Sequence, residues 1–121
     1  MSRYILAVDD EPEIIQLFEV TLRPLGFRIV SASDGDEALE KIRLERPALI
    51  LLDLMMPRLS GFHVLSQLNS DPEMASIPIV VISAYAKEQD AKEMPGVIRV
   101  LAKGSFGAPE LREIVSSTLT A

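Results

Sequence analysis

Apolar residues fall along this chain in short runs, separated by longer amphipathic stretches. Tyr4–Val8 is a run of strand formers that stops at Asp9, Asp10 and Glu11. Pro12 then suits the first turn of a helix, where its fixed φ is favourable and its missing N–H costs nothing. Ile14, Ile15, Phe18, Leu22 and Leu25 follow at spacings of three and four, which marks one buried helical face. Gly26 punctuates, and residues 27–32 read as a second strand. Asp34 with Glu37 three positions on has the form of an N-terminal capping pair, leading into Ala38, Leu39 and Ile42 on a second helix. Pro47 closes it, and residues 48–52 are a third strand.

The second half keeps the rhythm. Ser60 is placed to cap a helix carrying Phe62, Val64, Leu65 and Leu68. Residues 79–82 form a β-branched run with no polar face. The polar stretch AKEQDAKEM forms at most a short fourth helix, because it has little to bury. Residues 97–101 read as a fifth strand. Pro109 starts a fifth helix with Leu111, Ile114, Val115 and Leu119 inside. Five strands alternating with five helices, several strands apolar throughout, predict an α/β fold with a parallel sheet covered on both faces.

Composition narrows this further. At 121 residues the chain suits one domain, residues 1–121, with a single proper core. The 48% hydrophobic and 25% charged content is globular rather than disordered. No apolar run approaches the roughly 18 residues of a membrane span, and acids arrive too early for a signal peptide. The absence of cysteine excludes a disulfide framework or a thiolate zinc site and fits a cytoplasmic protein. A net charge of −6 argues against direct nucleic-acid binding by this segment.

The stretch LILLDLMMPRLSG raises a chemical question, because a buried strand ends there in a carboxylate, Asp53. In an open parallel α/β sheet, polar chemistry collects beyond the carboxyl ends of the strands. Just past each apolar run stand Asp9 and Asp10 after the first, Asp53 after the third, Ser83 after the fourth and Lys103 after the fifth. The second strand offers no such group and suits a sheet edge. Two carboxylates about 4 Å apart repel by roughly 4 kcal/mol at an effective dielectric near 20. A hard divalent cation relieves this, and an oxygen-only donor set suits Mg²⁺. With Lys103 balancing further charge and Ser83 offering a donor, the set looks built to hold a phosphoryl group. Asp53 has no adjacent general base, and a carboxylate nucleophile needs none.

VDDEP at 8–12, LLDLMMPRLSG at 51–61, VVISA at 80–84 and the lysine of LAKG at 101–104 together resemble the receiver domain of two-component response regulators. The resemblance runs from about Tyr4 to Leu119. It implies a doubly wound, flavodoxin-like sheet of order 2-1-3-4-5. It also implies that Asp53 accepts a phosphoryl group from a sensor histidine kinase or a histidine phosphotransfer protein. Asp10 would be a direct Mg²⁺ ligand, Asp9 would act partly through water, and the backbone carbonyl of Met55 would complete the protein's share. Ser83 would contact the phosphoryl oxygens, and Lys103 would pair with Asp53 and then with the phosphoryl group. The output would be a downstream effector protein or a fused domain beyond this chain, with no membrane contact. Such a domain turns over no external substrate.

Certain positions invite over-reading, and others depart from the family's pattern. His63, the only histidine, reads as a surface residue, and Glu11 as an early-helix charge favourable to the dipole. Met56 reads as loop packing and Arg58 as a solvated side chain. Gly104 stands where receivers usually have proline after the lysine, which predicts a trans peptide or a glycine-specific conformation there. Val100 stands where a switching aromatic is usual, and Tyr85 reads as a substitute for that ring, a shield for the phosphoryl group, or simply a partly buried edge tyrosine. The alternative is a phosphorylation-independent interaction module on the same fold, which would not need the acidic cluster. A Mg²⁺-dependent aspartyl phosphatase fits less well, since such enzymes place a second acid where Met55 stands.

Overall fold

Alternate residues of a strand point to opposite faces of its sheet, and that rule divides the core of this protein in two. The computed structural model describes residues 4–55, 61–84 and 94–119. Within them run β1 (Tyr4–Val8), α1 (Pro12–Leu22), a 3-10 turn (Arg23–Leu25), β2 (Arg28–Ala32), α2 (Gly35–Leu44), β3 (Leu49–Leu52), α3 (Gly61–Asn69), β4 (Ile79–Ser83), β5 (Val97–Ala102) and α4 (Ala108–Leu119). Leu6, Val8, Ile50, Leu52, Ile79 and Val81 pack with Ala38, Ile42, Val64 and Leu68, residues of α2 and α3. Ile5, Ala7, Leu49, Leu51, Val80 and Ile82 pack with Phe18, Leu22, Leu111, Ile114 and Val115, residues of α1 and α4.

All strand pairs are parallel, in the order β2-β1-β3-β4-β5. Every residue of β1, β3 and β4 is buried, whereas β2 and β5 at the edges are partly open. This explains why the three central strands carry no polar face. The chain winds outward from β1 to β2, then the other way through β3, β4 and β5, so the winding reverses between β1 and β3. Such a switch point leaves a crevice beyond the carboxyl ends of the strands.

The helix caps follow the sequence with one change of partner. The Asp34 carboxylate accepts the Glu37 N–H at 2.9 Å, while Glu37 Oε1 accepts from the Ser33 N–H at 2.6 Å. The capping pair is therefore real, but its return bond reaches one residue further back than a capping box would. The hydroxyl of core residue Tyr4 donates to the main-chain carbonyl of Glu45 at the end of α2.

Three expectations need correction or fall outside the described residues. Phe62 is not on the buried face of α3: it is 55% exposed, and the inward stripe is Gly61, Val64, Leu65 and Leu68. β2 begins at Arg28, with Phe27 preceding it. Among the described residues there are four α-helices, because the expected short fourth helix and the Ser60 cap lie outside them.

Candidate functional site

The main-chain N–H of Asp53 donates to the Val8 carbonyl at 3.0 Å, and that of Asp9 donates to the Ala32 carbonyl at 3.0 Å. These bonds extend the ladder one step beyond β3 and β1, so both acids stand at the switch point. Ligand atoms of Asp9, Asp10 and Asp53 lie within 4.8 Å of one another. Asp9 and Asp53 are buried, at 3% and 2% exposure, while Asp10 is open to solvent. A cleft of about 520 Å³ between Pro12, Ser33 and Lys41 opens onto Asp9 and Asp10.

Both buried carboxylates are anchored in the same way. Asp9 Oδ1 accepts the Glu11 N–H at 2.9 Å, and Asp53 Oδ1 accepts the Met55 N–H at 3.0 Å. In each case an aspartate takes the N–H two residues on, the Asx turn that short acids favour. Their second oxygens share one cation: Lys103 Nζ lies 3.1 Å from Asp9 Oδ2 and 3.0 Å from Asp53 Oδ2. Burial of Asp9 raises its pKa above the ordinary carboxylate value, with the Glu11 N–H and Lys103 opposing. Burial works against the Lys103 ammonium, but the carboxylates of Glu11, Asp53 and Asp9 outweigh it and push the pKa well above the usual lysine value.

Lys103 reaches this point from a turn that glycine makes possible. The Ser105 N–H donates to the Ala102 carbonyl at 3.2 Å, and Gly104 sits between them with φ +80°. A positive φ at the third position of a four-residue turn suits glycine. The peptide after Lys103 is trans, as are all those in the described residues. Ser83 ends β4 at 1% exposure, and its carbonyl accepts the Lys103 N–H at 3.1 Å. Val100 packs in the core at 2% exposure, in register with Val81.

Gly61 has a part that sequence reasoning missed. Its N–H donates to the Leu54 carbonyl at 3.2 Å, and a Cβ at this position would lie 2.3 Å from the Asp53 carbonyl oxygen. Only a residue without a side chain lets the start of α3 close over the acid's main chain. The signal available was the glycine closing the MMPRLSG stretch.

Glu11 corrects a sequence expectation. It is the N-cap of α1 rather than a charge within the first turn, and its Oε2 lies 2.7 Å from Lys103 Nζ. Met55 presents its N–H to Asp53 while its side chain is 55% exposed. His63 is exposed on α3, as expected of a surface residue. Tyr85, Met56 and Arg58 lie outside the described residues.

The donor set fits Mg²⁺, being oxygen-only, acidic and partly open to water. Asp9, Asp10 and Asp53 would hold the ion.

Comparison with known proteins agrees with this geometry. Residues 5–116 match the family described as the response regulator receiver domain. The alkaline phosphatase synthesis transcriptional regulatory protein PhoP of Bacillus subtilis is 42% identical over 90 residues, which are 74% of this chain and 37% of that protein. The gliding motility regulatory protein of Myxococcus xanthus is 33% identical over 113 residues, 92% of this chain and 14% of its own length. The chain thus spans well under half the length of these curated relatives. The receiver domain of a sensor histidine kinase from Pseudomonas aeruginosa, solved with a magnesium ion in its active-site cleft, superposes with a TM-score of 0.85 at 28% identity, covering 100% of both chains.

Proposed function

The chain belongs to the response regulator receiver domain family, and from that premise we propose that Asp53 is its phosphoryl acceptor. A receiver domain of this family serves two-component signal transduction. The observation that carries the assignment is the bridge of Lys103 between Asp53 and Asp9 at the switch point. Asp53, the buried carboxylate just past β3, lies among an ammonium, a second buried acid and an exposed one, which supports this reading.

In this reading, a carboxylate oxygen of Asp53 attacks the phosphorus of a phosphohistidine on a kinase or phosphotransfer protein. The P–N bond breaks, the histidine leaves, and Asp53 becomes an acyl phosphate. Mg²⁺, when bound, offsets the negative charge shared by the aspartates and the incoming phosphoryl group. The Met55 N–H holds Asp53 Oδ1 in a fixed orientation. Lys103 supplies the positive charge on the other oxygen and then on the phosphoryl group, and the Ser83 hydroxyl, at the end of β4, would donate to a phosphoryl oxygen. An acyl phosphate hydrolyses, so the signal decays without a second enzyme. Val100, a buried core residue, stands where the usual aromatic switch would be, so that ring takes no part here. The output is a partner-binding change, read by a separate effector or by a domain attached to this one.

The test is incubation with Mg²⁺ and acetyl phosphate followed by intact mass, with Asp53→Asn in parallel. We expect a gain of one phosphoryl group in the wild type and none in the variant or without Mg²⁺. A gain retained in Asp53→Asn would overturn the assignment. No gain in the wild type with either acetyl phosphate or a phosphorylated histidine donor would favour a phosphorylation-independent module.

A further inference from the structure

Lys103 is engaged by three carboxylates, and two of them have other work. Asp9 and Asp53 belong to the group whose ligand atoms converge within 4.8 Å, whereas Glu11 does not. Yet the Glu11 contact, at 2.7 Å, is shorter than those to Asp53 and Asp9 at 3.0 and 3.1 Å. Glu11 is also the outermost partner, with its side chain 53% exposed against 2% for Asp53 and 1% for Asp9. Its backbone is tied to the same machinery, because its N–H fixes Asp9 Oδ1.

The ammonium and a divalent cation compete for the same buried oxygens. A cation on Asp9 and Asp53 repels an ammonium left between them, and burial strengthens that repulsion. Expelling Lys103 entirely would remove the positive charge needed beside the phosphoryl group. A carboxylate just outside the cation's donor set resolves the conflict by holding the lysine at the rim.

We propose that Glu11 is a positioning residue that draws Lys103 off the two metal-binding aspartates, so that the lysine and the divalent cation occupy the site together. The proposal rests on the cation-binding reading given above. The Glu11 carboxylate is not among the clustered ligand groups; it acts through Lys103.

A double-mutant cycle on the intact chain tests this. Mg²⁺ affinity is measured by NMR titration at physiological salt in the wild type, Glu11→Gln, Lys103→Met and the double variant. Lys103→Gln serves as a second background should the methionine variant fold poorly. Acting through Lys103, Glu11→Gln weakens Mg²⁺ binding several-fold in the wild type. In either Lys103 background the loss shrinks to about twofold, the screened direct effect of one charge. Equal losses in all backgrounds would show that Glu11 acts on the cation directly and would overturn the proposal. An unchanged affinity in Glu11→Gln would overturn it as well. A wild type that binds no Mg²⁺ would instead remove the underlying reading, a distinct result.

Discussion

Gly61 lies so close to Asp53 that a methyl group on its α-carbon would come within 2.3 Å of the Asp53 main-chain oxygen and 2.7 Å of the Leu54 α-carbon. Both obstacles are backbone, so neither can swing aside. Gly61→Ala must therefore push the start of α3 away or shift the segment carrying Asp53, the proposed acceptor. Overpacking of this kind costs about 1–3 kcal/mol. The reacting group moves with its main chain, so phosphorylation by acetyl phosphate should slow by roughly tenfold to a hundredfold. Parallel urea unfolding and intact-mass kinetics check this. A variant destabilised but phosphorylated at the wild-type rate would show that α3 gives way and Asp53 does not.

Divalent cations should stabilise the fold by mass action. At a concentration of about 100 times the dissociation constant the gain is roughly 2.7 kcal/mol, a rise in Tm of about 10 °C for a domain of this size. Asp10 is exposed, so Asp10→Asn should change the metal-free Tm little while removing most of the rise. Thermal melts with Mg²⁺ and with a chelator measure both quantities. A full Mg²⁺ response in the variant would place the cation elsewhere.

Alkaline pH should weaken the metal-free fold. Burial alone would lower the Lys103 pKa, but its three carboxylates raise it above the ordinary 10.5. Tyr4 is raised above 10.0 by burial, then by the Glu45 charge, with Arg28 opposing. Both contributions are fully present below the ordinary values. They fade as pH rises through the folded ones, because the unfolded chain gives up its protons first. Urea midpoints should therefore hold up to about pH 10 and fall as the pH is raised beyond it, less steeply in Lys103→Met and in Tyr4→Phe. Identical slopes in all three proteins would contradict this account.

Much of this was legible because the central strands are apolar on both faces, a pattern that a parallel sheet buried on both sides requires. The acids and the lysine were legible because strand ends are where such runs stop. Two side chains were misread for physical reasons. Phe62 is one residue off the inward stripe of α3, and the inward place at that turn belongs to Gly61, whose role is close approach rather than hydrophobicity. Glu11 meets Lys103 across 92 positions of sequence, a pairing that local spacing does not encode. Gly104 was readable as a conformational exception, but the turn it forms with Ala102 and Ser105 depends on β5 ending at Ala102.

Replacing Lys103 should expose how much of the site's stability depends on a cation being present. Asp9 and Asp53 are almost wholly buried, and Lys103 is the cationic side chain paired with both. Removing one partner of a buried pair costs about 3–5 kcal/mol when the remaining charge is left uncompensated. The rim here is open at Asp10 and the Asx turns remain, so Lys103→Met should cost less, about 2–3 kcal/mol in chelator. Mg²⁺ supplies the missing positive charge and no longer competes with the ammonium. The Mg²⁺-dependent rise in Tm should therefore be larger in Lys103→Met than in the wild type, and the gap between the two proteins should narrow as Mg²⁺ is added. Phosphorylation would still be impaired, since the charge beside the phosphoryl group is gone. Melts of both proteins across a Mg²⁺ series decide the matter: curves that stay parallel would mean that the lysine and the cation do not share Asp9 and Asp53.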